Sequence, residues 1–325
     1  MTKVSFALLF AVAVVTFSIG TLLLGASQAK ADGIPLGGAA NFAVLYEGGG
    51  KNTLQITNVT VNGNIGVGDT GKATDSGPST VNGAIDFSAA QASPSQFSNN
   101  NSSDVITGGV NFSDAAVTSA LNTVNNLNTS LGAVNTSGTP SANLNINLSG
   151  TTTLTINESA GKLVTINGVT YRVFTITGFN TTNGNTINVV GDGSGDPVVF
   201  NFTGNTNFNN QVTLSGGLKP SDVLWNFVGG SNLSGGPTLQ INDNGNGHPS
   251  NLVQGIFLDP NGTVHVTNTN LDGDIFGGDS QDMQIVSGDT ITQATTVTPE
   301  PASLALLGTG LLGVGFYRKR RLASK

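Results

Sequence analysis

One pattern limits the fold more than any other. Val61-x-Gly63-x-Ile65-x-Val67 returns as Val81-x-Gly83-x-Ile85-x-Phe87 and as Ile106-x-Gly108-x-Val110-x-Phe112, with starts 20 and 25 residues apart, and Leu271-x-Gly273-x-Ile275-x-Gly277 repeats it near the end. Alternation at period two puts the apolar members on one face of a short strand, and glycine at a same-parity position permits a narrow interior or a close backbone approach. Such spacing is near one coil of a β-solenoid, in which stacked neighbours bury a core that no single coil buries alone. A β-sandwich of short recurring strands is the competing architecture.

The pattern breaks once. From Ser113 to Thr136 the apolar residues Val117, Leu121, Val124, Leu127 and Leu131 follow helical periodicity, and Ser113-Asp114 can cap the start, so one amphipathic helix over Ser113 to Leu131 is predicted. Strand signals then resume at Leu144-Ile146-Leu148, Leu154-Ile156, Tyr171-Val173, Val198 to Phe202, Val212-Leu214 and Val264-Val266. The segments 69–80, 191–197 and 243–251 read as loops.

Both ends carry addressing chemistry. Lys3, the apolar run Val4 to Gly25 and Ser27-Gln28-Ala29-Lys30-Ala31 form the three parts of a signal peptide, 1–31. At the other end Pro299-Glu300-Pro301 precedes an apolar run, Ala302 to Tyr317, and the basic stop Arg318, Lys319, Arg320 and Arg321. Sixteen residues rise only about 24 Å as a helix against roughly 30 Å of bilayer core, so a transmembrane helix here is marginal. The basic residues would stay on the cytoplasmic side and leave everything upstream outside.

Composition narrows the rest. From Asp32 to Thr298 eighteen acidic residues face five basic ones, a formal charge of −13, which argues against a phosphate-contacting surface and against nucleic acid as a partner. The chain has no cysteine, which removes disulfides and thiolate metal sites.

The tail resembles the PEP-CTERM sorting signal of exported bacterial proteins. The resemblance implies recognition and cutting near Pro299, Glu300 and Pro301 by an exosortase, after signal peptidase has acted at the other end. It also implies residence in the cell envelope, on the outer surface or in the extracellular matrix of a Gram-negative-type bacterium, with extracellular polysaccharide as a partner and the membrane engaged through the C-terminal helix before processing. A broader resemblance covers the body. Leu36-Gly37-Gly38-Ala39-Ala40-Asn41-Phe42-Ala43-Val44-Leu45 and Asn64-Ile65-Gly66-Val67-Gly68, followed by the helix, are similar to the opening of ice-binding-like adhesins, whose fold is a right-handed β-helix with a helix along one side. Val223-Leu224-Trp225-Asn226-Phe227, Gly255-Ile256-Phe257-Leu258-Asp259-Pro260-Asn261-Gly262 and Leu271 to Gly278 resemble choice-of-anchor A domains, exported surface modules. Phe257 and Asp259 stand where that family more often has alanine. The expected organisation is a β-helical body over 32–287 with one α-helix packed alongside, a polar linker over 288–298, a sorting segment over 299–325, and hydrophobic helices at both termini.

The body is not expected to be an enzyme. His248 and His265 are the only histidines, His265 faces outward between Val264 and Val266, and no arrangement for covalent catalysis is present. Paired aspartates on a β-helix scaffold leave a polysaccharide-active enzyme as an alternative. No cofactor is implied. Asp272 and Asp274 with Asp279 and Asp282, or Asp192 with Asp196, are hard oxygen donors of the kind calcium takes, although neither run has EF-hand or β-roll spacing and acidic turn residues explain both. The leading expectation is a structural or adhesive surface protein. Ice binding is the runner-up, for which Thr and similar side chains must stand in ranks; Thr151-Thr152-Thr153-Leu154-Thr155 and Thr263-Val264-His265-Val266-Thr267 are the fragments that suggest it.

Overall fold

The computed structural model describes residues 33–49, 53–90, 96–229, 236–242, 252–278 and 282–295, all of which belong to one compact unit, Asp32–Val297. Its strands stack in register as the coils of a three-sided β-solenoid. Ile65 lies on Ile85 and Val110 on Ile85, while Val61 lies on Val81 and Val81 on Ile106. The repeated glycines therefore mark equivalent places, and each is a corner where the chain turns from one face to the next: Thr60–Asn62 and Asn64–Val67 are separate strands on adjoining sides. A Cβ on Gly83 would stand 2.4 Å from the Gly63 carbonyl oxygen, and one on Gly273 would stand 1.9 Å from that of Gly255, so no other residue fits these corners. Gly255 belongs to a fifth copy of the pattern, Val253-x-Gly255-x-Phe257.

The order of the coils is not the order of the chain. The first coil, built on Phe42–Tyr46, Thr53–Thr57 and Thr60–Asn62, lies in the middle of the stack. The next coils proceed to one end, which closes on Val110–Asn111. The helix Ala115–Gly132 then carries the chain back along the solenoid, rising about 27 Å. Winding resumes at the opposite end with Asn143–Asn147 and Thr153–Asn157 and returns to the middle, where the last coil, Ile275–Gly277, Met283–Val286 and Thr290–Thr292, pairs with the first on all three faces. Val44 meets Ile275, Ile56 meets Ile285 and Val61 meets Ile291. Nearly every pairing is parallel; the exception is the hairpin of Lys162–Ile166 with Val169–Asn180.

Inside, in-register residues of one face form a column of rings: Phe174 on Phe200 at 5.0 Å, Phe200 on Trp225 at 4.5 Å and Trp225 on Phe257 at 5.9 Å between centroids, all stacked. Beyond Phe257 the column becomes aliphatic through Ile275, Val44, Ile65 and Ile85. The helix lies against the outer side of this face. Val117, Ala120, Leu121, Val124 and Leu131 are buried against Leu45, Leu224, Leu258 and Phe276. Asp114 caps its start, accepting the Ala116 N–H at 2.8 Å. At its far end a buried amide network joins the apolar packing of Leu131: Asn128 donates to Asn226 Oδ1 and to the Phe227 carbonyl, Asn226 donates to Asn201 Oδ1, and Asn201 donates to the Leu131 carbonyl, all at 2.7–2.8 Å.

Three expectations are corrected. Terminal hydrophobic helices, with a membrane-spanning helix at the C-terminal side, are not part of this fold: among the described residues no helix is long and apolar enough to cross a membrane. The one long helix, Ala115–Gly132, turns its apolar stripe to the sheet and carries Thr, Ser and Asn elsewhere, and the runs 4–25 and 302–317 lie outside the described residues. Secondly, the segment read as a loop over 69–80 contains the strand Lys72–Asp75. Thirdly, Thr290–Thr292 is a strand, so the solenoid continues through 288–294, where a linker was expected.

Candidate binding face

Of the three sides, the first carries the helix. The third is divided among the described residues into a sheet of three strands and a sheet of six, and the Gln254 side chain accepts the Leu214 N–H where the two sheets adjoin. Its six-strand part presents the outward row Leu252, Asn270, Thr290, Thr60, Thr80 and Val105, apolar at both ends. Many of its polar groups bind one another: Asn82 donates to Asn62 Oδ1 at 2.8 Å, Asn62 to Thr292 Oγ1 at 3.3 Å, and Thr213 to Asn188 Oδ1 at 3.3 Å.

The second side is one unbroken parallel sheet of seven strands. Its inward positions, among them Leu54, Ile56, Leu239, Ile241, Val264, Val266, Met283 and Ile285, are buried, which fixes the register and turns the alternate residues outward. The outward row reads Asn207, Gln240, His265, Gln284, Gln55, Thr74 and Ser98, one residue per strand in direct register. Parallel strands repeat at about 4.8 Å, so these amide, imidazole and hydroxyl groups form an evenly spaced rank. A second rank, Asn242, Thr267, Val286 and Thr57, runs beside it. Neither rank contains a carboxylate or an ammonium group; Lys72 and Asp282 lie at the margin.

His265 faces outward here, half-exposed, as the sequence predicts. The two threonine fragments are on different sides: Thr267 belongs to the second face, whereas Thr153 and Thr155 are exposed on the third. The glutamine rank escaped the sequence reading, because Gln55, Gln240 and Gln284 form no motif and only coil register aligns them. Pro299, Glu300, Pro301, Arg318, Lys319, Arg320 and Arg321 lie outside the described residues, as do His248 and Asp279.

The remaining aspartates are engaged by the protein itself. Arg172 pairs with Asp192 at 3.2 Å and with Asp196 at 3.6 Å. Asp272 accepts from Gln254 Nε2 at 2.9 Å, and the buried Asp274 accepts the Ala294 N–H at 3.0 Å. Among the described residues no group of three or more His, Asp or Glu could hold a metal ion. Burial raises the carboxyls of Asp259 and Asp274 well above the usual range, that of Asp75 to about 6 and that of Asp289 to about 7. Three of them act as interior acceptors: Asp274 as above, Asp289 for the Thr269 N–H at 2.8 Å and Asp75 for the Ser79 hydroxyl at 2.9 Å.

Comparison with known proteins fits this geometry. Residues 26–285 match the family model described as an ice-binding-like adhesive domain, and residues 297–321 match the PEP-CTERM protein-sorting motif. Among solved structures, an ice-binding protein from an Antarctic bacterium of the Flavobacteriaceae is 17% identical, with 82% of this chain and 48% of that one covered and a TM-score of 0.51. Ice-binding proteins from the Antarctic ascomycete Antarctomyces psychrotrophicus (17% identity, 81% and 100% covered, TM-score 0.44) and from an Antarctic biological consortium (16%, 83% and 95%, 0.46) are also similar. At such identities the likeness speaks to the solenoid fold alone. Curated protein sequences gave no match. The sorting motif indicates export, handling by exosortase and signal peptidase, and attachment at the cell surface or outside the cell. The domain model is described as adhesive and ice-binding-like, which favours the ice-binding-like alternative over a purely structural role. It spans the segments that resemble choice-of-anchor A as well as the adhesin-like opening, so both lie in one domain, and the chain belongs to the ice-binding-like adhesive domain family.

Proposed function

We propose that this exported adhesin binds ice, and that the second face makes the contact. The observation that carries the reading is the rank of seven outward side chains from Asn207 to Ser98, in register across an unbroken sheet. A crystalline surface repeats its hydrogen-bonding sites at fixed intervals, and a rigid rank of small polar groups can meet many of them at once with little ordering cost. The family description supports the same reading, and the ice-binding protein of the Flavobacteriaceae bacterium shares the fold. The test is thermal hysteresis and recrystallisation inhibition by the purified body. Gln284→Tyr, which raises a bulky ring in the centre of the rank, should abolish the effect, whereas Thr60→Tyr on the third face should retain it. No activity of the unaltered body at high micromolar concentration would overturn the proposal.

We also propose that the mature body runs from Asp32 to the Pro299 region, with Pro299, Glu300 and Pro301 as the recognised element and Arg318, Lys319, Arg320 and Arg321 as the basic end of the sorting segment. Alanine at the three recognition positions should change the size and cell fraction of an internally tagged protein, and unchanged processing would refute the assignment.

A further inference from the structure

The place where the chain leaves the solenoid has a geometric consequence for an attached protein. The last coil is central: along the helix-bearing face, four strands lie to one side of Ile275–Gly277 and five to the other. After Thr290–Thr292 the chain is held firmly at the corner between the third and the helix-bearing faces. The Gln293 N–H donates to the Asn62 carbonyl at 3.1 Å, its side-chain amide donates to the Ala40 carbonyl at 2.7 Å, and Ala294, only 3% exposed, gives its N–H to Asp274. Thr295 is exposed. Three residues, 296–298, separate Thr295 from Pro299, so the four steps between them reach at most about 14 Å when fully extended. At about 4.8 Å per strand, the two ends of the rod are about 19 and 24 Å from the exit. A link of that length cannot stand the rod on either end.

We infer that the sorted protein is held by the middle of its rod, lying along the surface that carries it, with the second face turned outward. In a three-sided coil the side opposite the corner between the third and first faces is the second face. The same exit that fixes the attachment therefore leaves the rank of Asn207, Gln240, His265, Gln284, Gln55, Thr74 and Ser98 pointing away from the cell. This inference rests on the second face being the contact surface only for its meaning, not for its geometry.

The chain has no cysteine, so single cysteines can report accessibility. Four exposed positions suit the test: Gln55→Cys on the second face, Thr292→Cys beside the exit, and Asn157→Cys and Thr107→Cys near the two ends of the third face. Each full-length variant is expressed in a bacterium with an exosortase, and labelling by a membrane-impermeant maleimide on intact cells is compared with labelling of the released body. Equal melting temperatures of the released bodies confirm that each variant is folded. The expected result is several-fold protection of Thr292→Cys on cells, with Gln55→Cys labelled as fast as in the free body and the two end positions little protected. Protection of Asn157→Cys or Thr107→Cys with Thr292→Cys open would show end-on attachment and overturn the inference. So would protection of Gln55→Cys, or no protection anywhere. Thermal hysteresis of the released body is read separately, so loss of the ice reading and loss of the attachment geometry are distinguishable.

Discussion

Ile65 and Thr60 separate the inside of the coil from its outside within six residues. Ile65 is fully buried between Val44 and Ile85, whereas Thr60 is half-exposed between Thr290 and Thr80. Ile65→Asp would place an unpaired carboxylate in the stack and should cost more than about 4 kcal/mol, seen as loss of the folded circular dichroism spectrum. Thr60→Asp should change stability by about 0.5 to 1 kcal/mol. Equal losses would refute the register. The buried aspartates predict a pH dependence. Asp75 and Asp289 have carboxyls raised by burial to about 6 and about 7, so the neutral form suits the fold. Their contribution is fully present below about pH 4, where unfolded carboxyls also keep their protons, and is lost as pH rises to about 7. Thermal melts should show the body more stable at pH 5 than at pH 8. Asp289→Asn keeps an oxygen for the Thr269 N–H and should flatten that slope. Asn64 shows that an amide can do corner duty: its Oδ1 accepts the Ala84 N–H at 2.9 Å, at the position that Asp274 fills in another coil.

At the scale of elements, the helix is joined to the sheet by two different means. An apolar stripe from Val117 to Leu131 is buried along its length, and the last turns add the amide network of Asn128, Asn201 and Asn226, which are at most 5% exposed. Asn226→Leu would leave Asn201 Oδ1 without the Asn226 donor and Asn128 Nδ2 with the Phe227 carbonyl as its remaining acceptor, at about 1–3 kcal/mol for a buried group left unsatisfied. Amide hydrogen exchange should quicken in the turn ending at Gly132 while the turn after Asp114 keeps its protection. The helix was legible because five apolar residues keep a 3.6 period behind a capping Asp. That Gly63, Gly83 and Gly108 are equivalent was legible from their shared spacing, but that they are corners was not: the alternation reads as one strand face, whereas Thr60–Asn62 and Asn64–Val67 are strands of adjoining sides. Lys72–Asp75 was not legible, since its inward residues are only Ala73 and Asp75 and glycines flank it on both sides. Thr290–Thr292 has one apolar member and reads as a polar linker until its neighbours Asn270–Asp272 and Thr60–Asn62 are seen beside it. Likewise, a rank of glutamines has no period within any strand; it exists only between coils.

The whole molecule closes on a seam that no local signal announces. The Thr53 N–H donates to Asp282 Oδ1 at 2.9 Å, 229 residues away. Bringing such distant segments together is entropically slow, and the contacts that reward closure form last. A body truncated before Ile275 should therefore retain its coils on either side yet bare two strand edges, and size-exclusion chromatography should find it associated, whereas the full body elutes as a discrete species. For a protein made from its N-terminus and threaded out of the cell, this means that the first coil emerges early but finds its mate only when the final coil arrives. Until then its edge strands lack the partners that the last coil supplies. Folding of this rod is thus timed by the end of translocation, a clock written into the order of its coils.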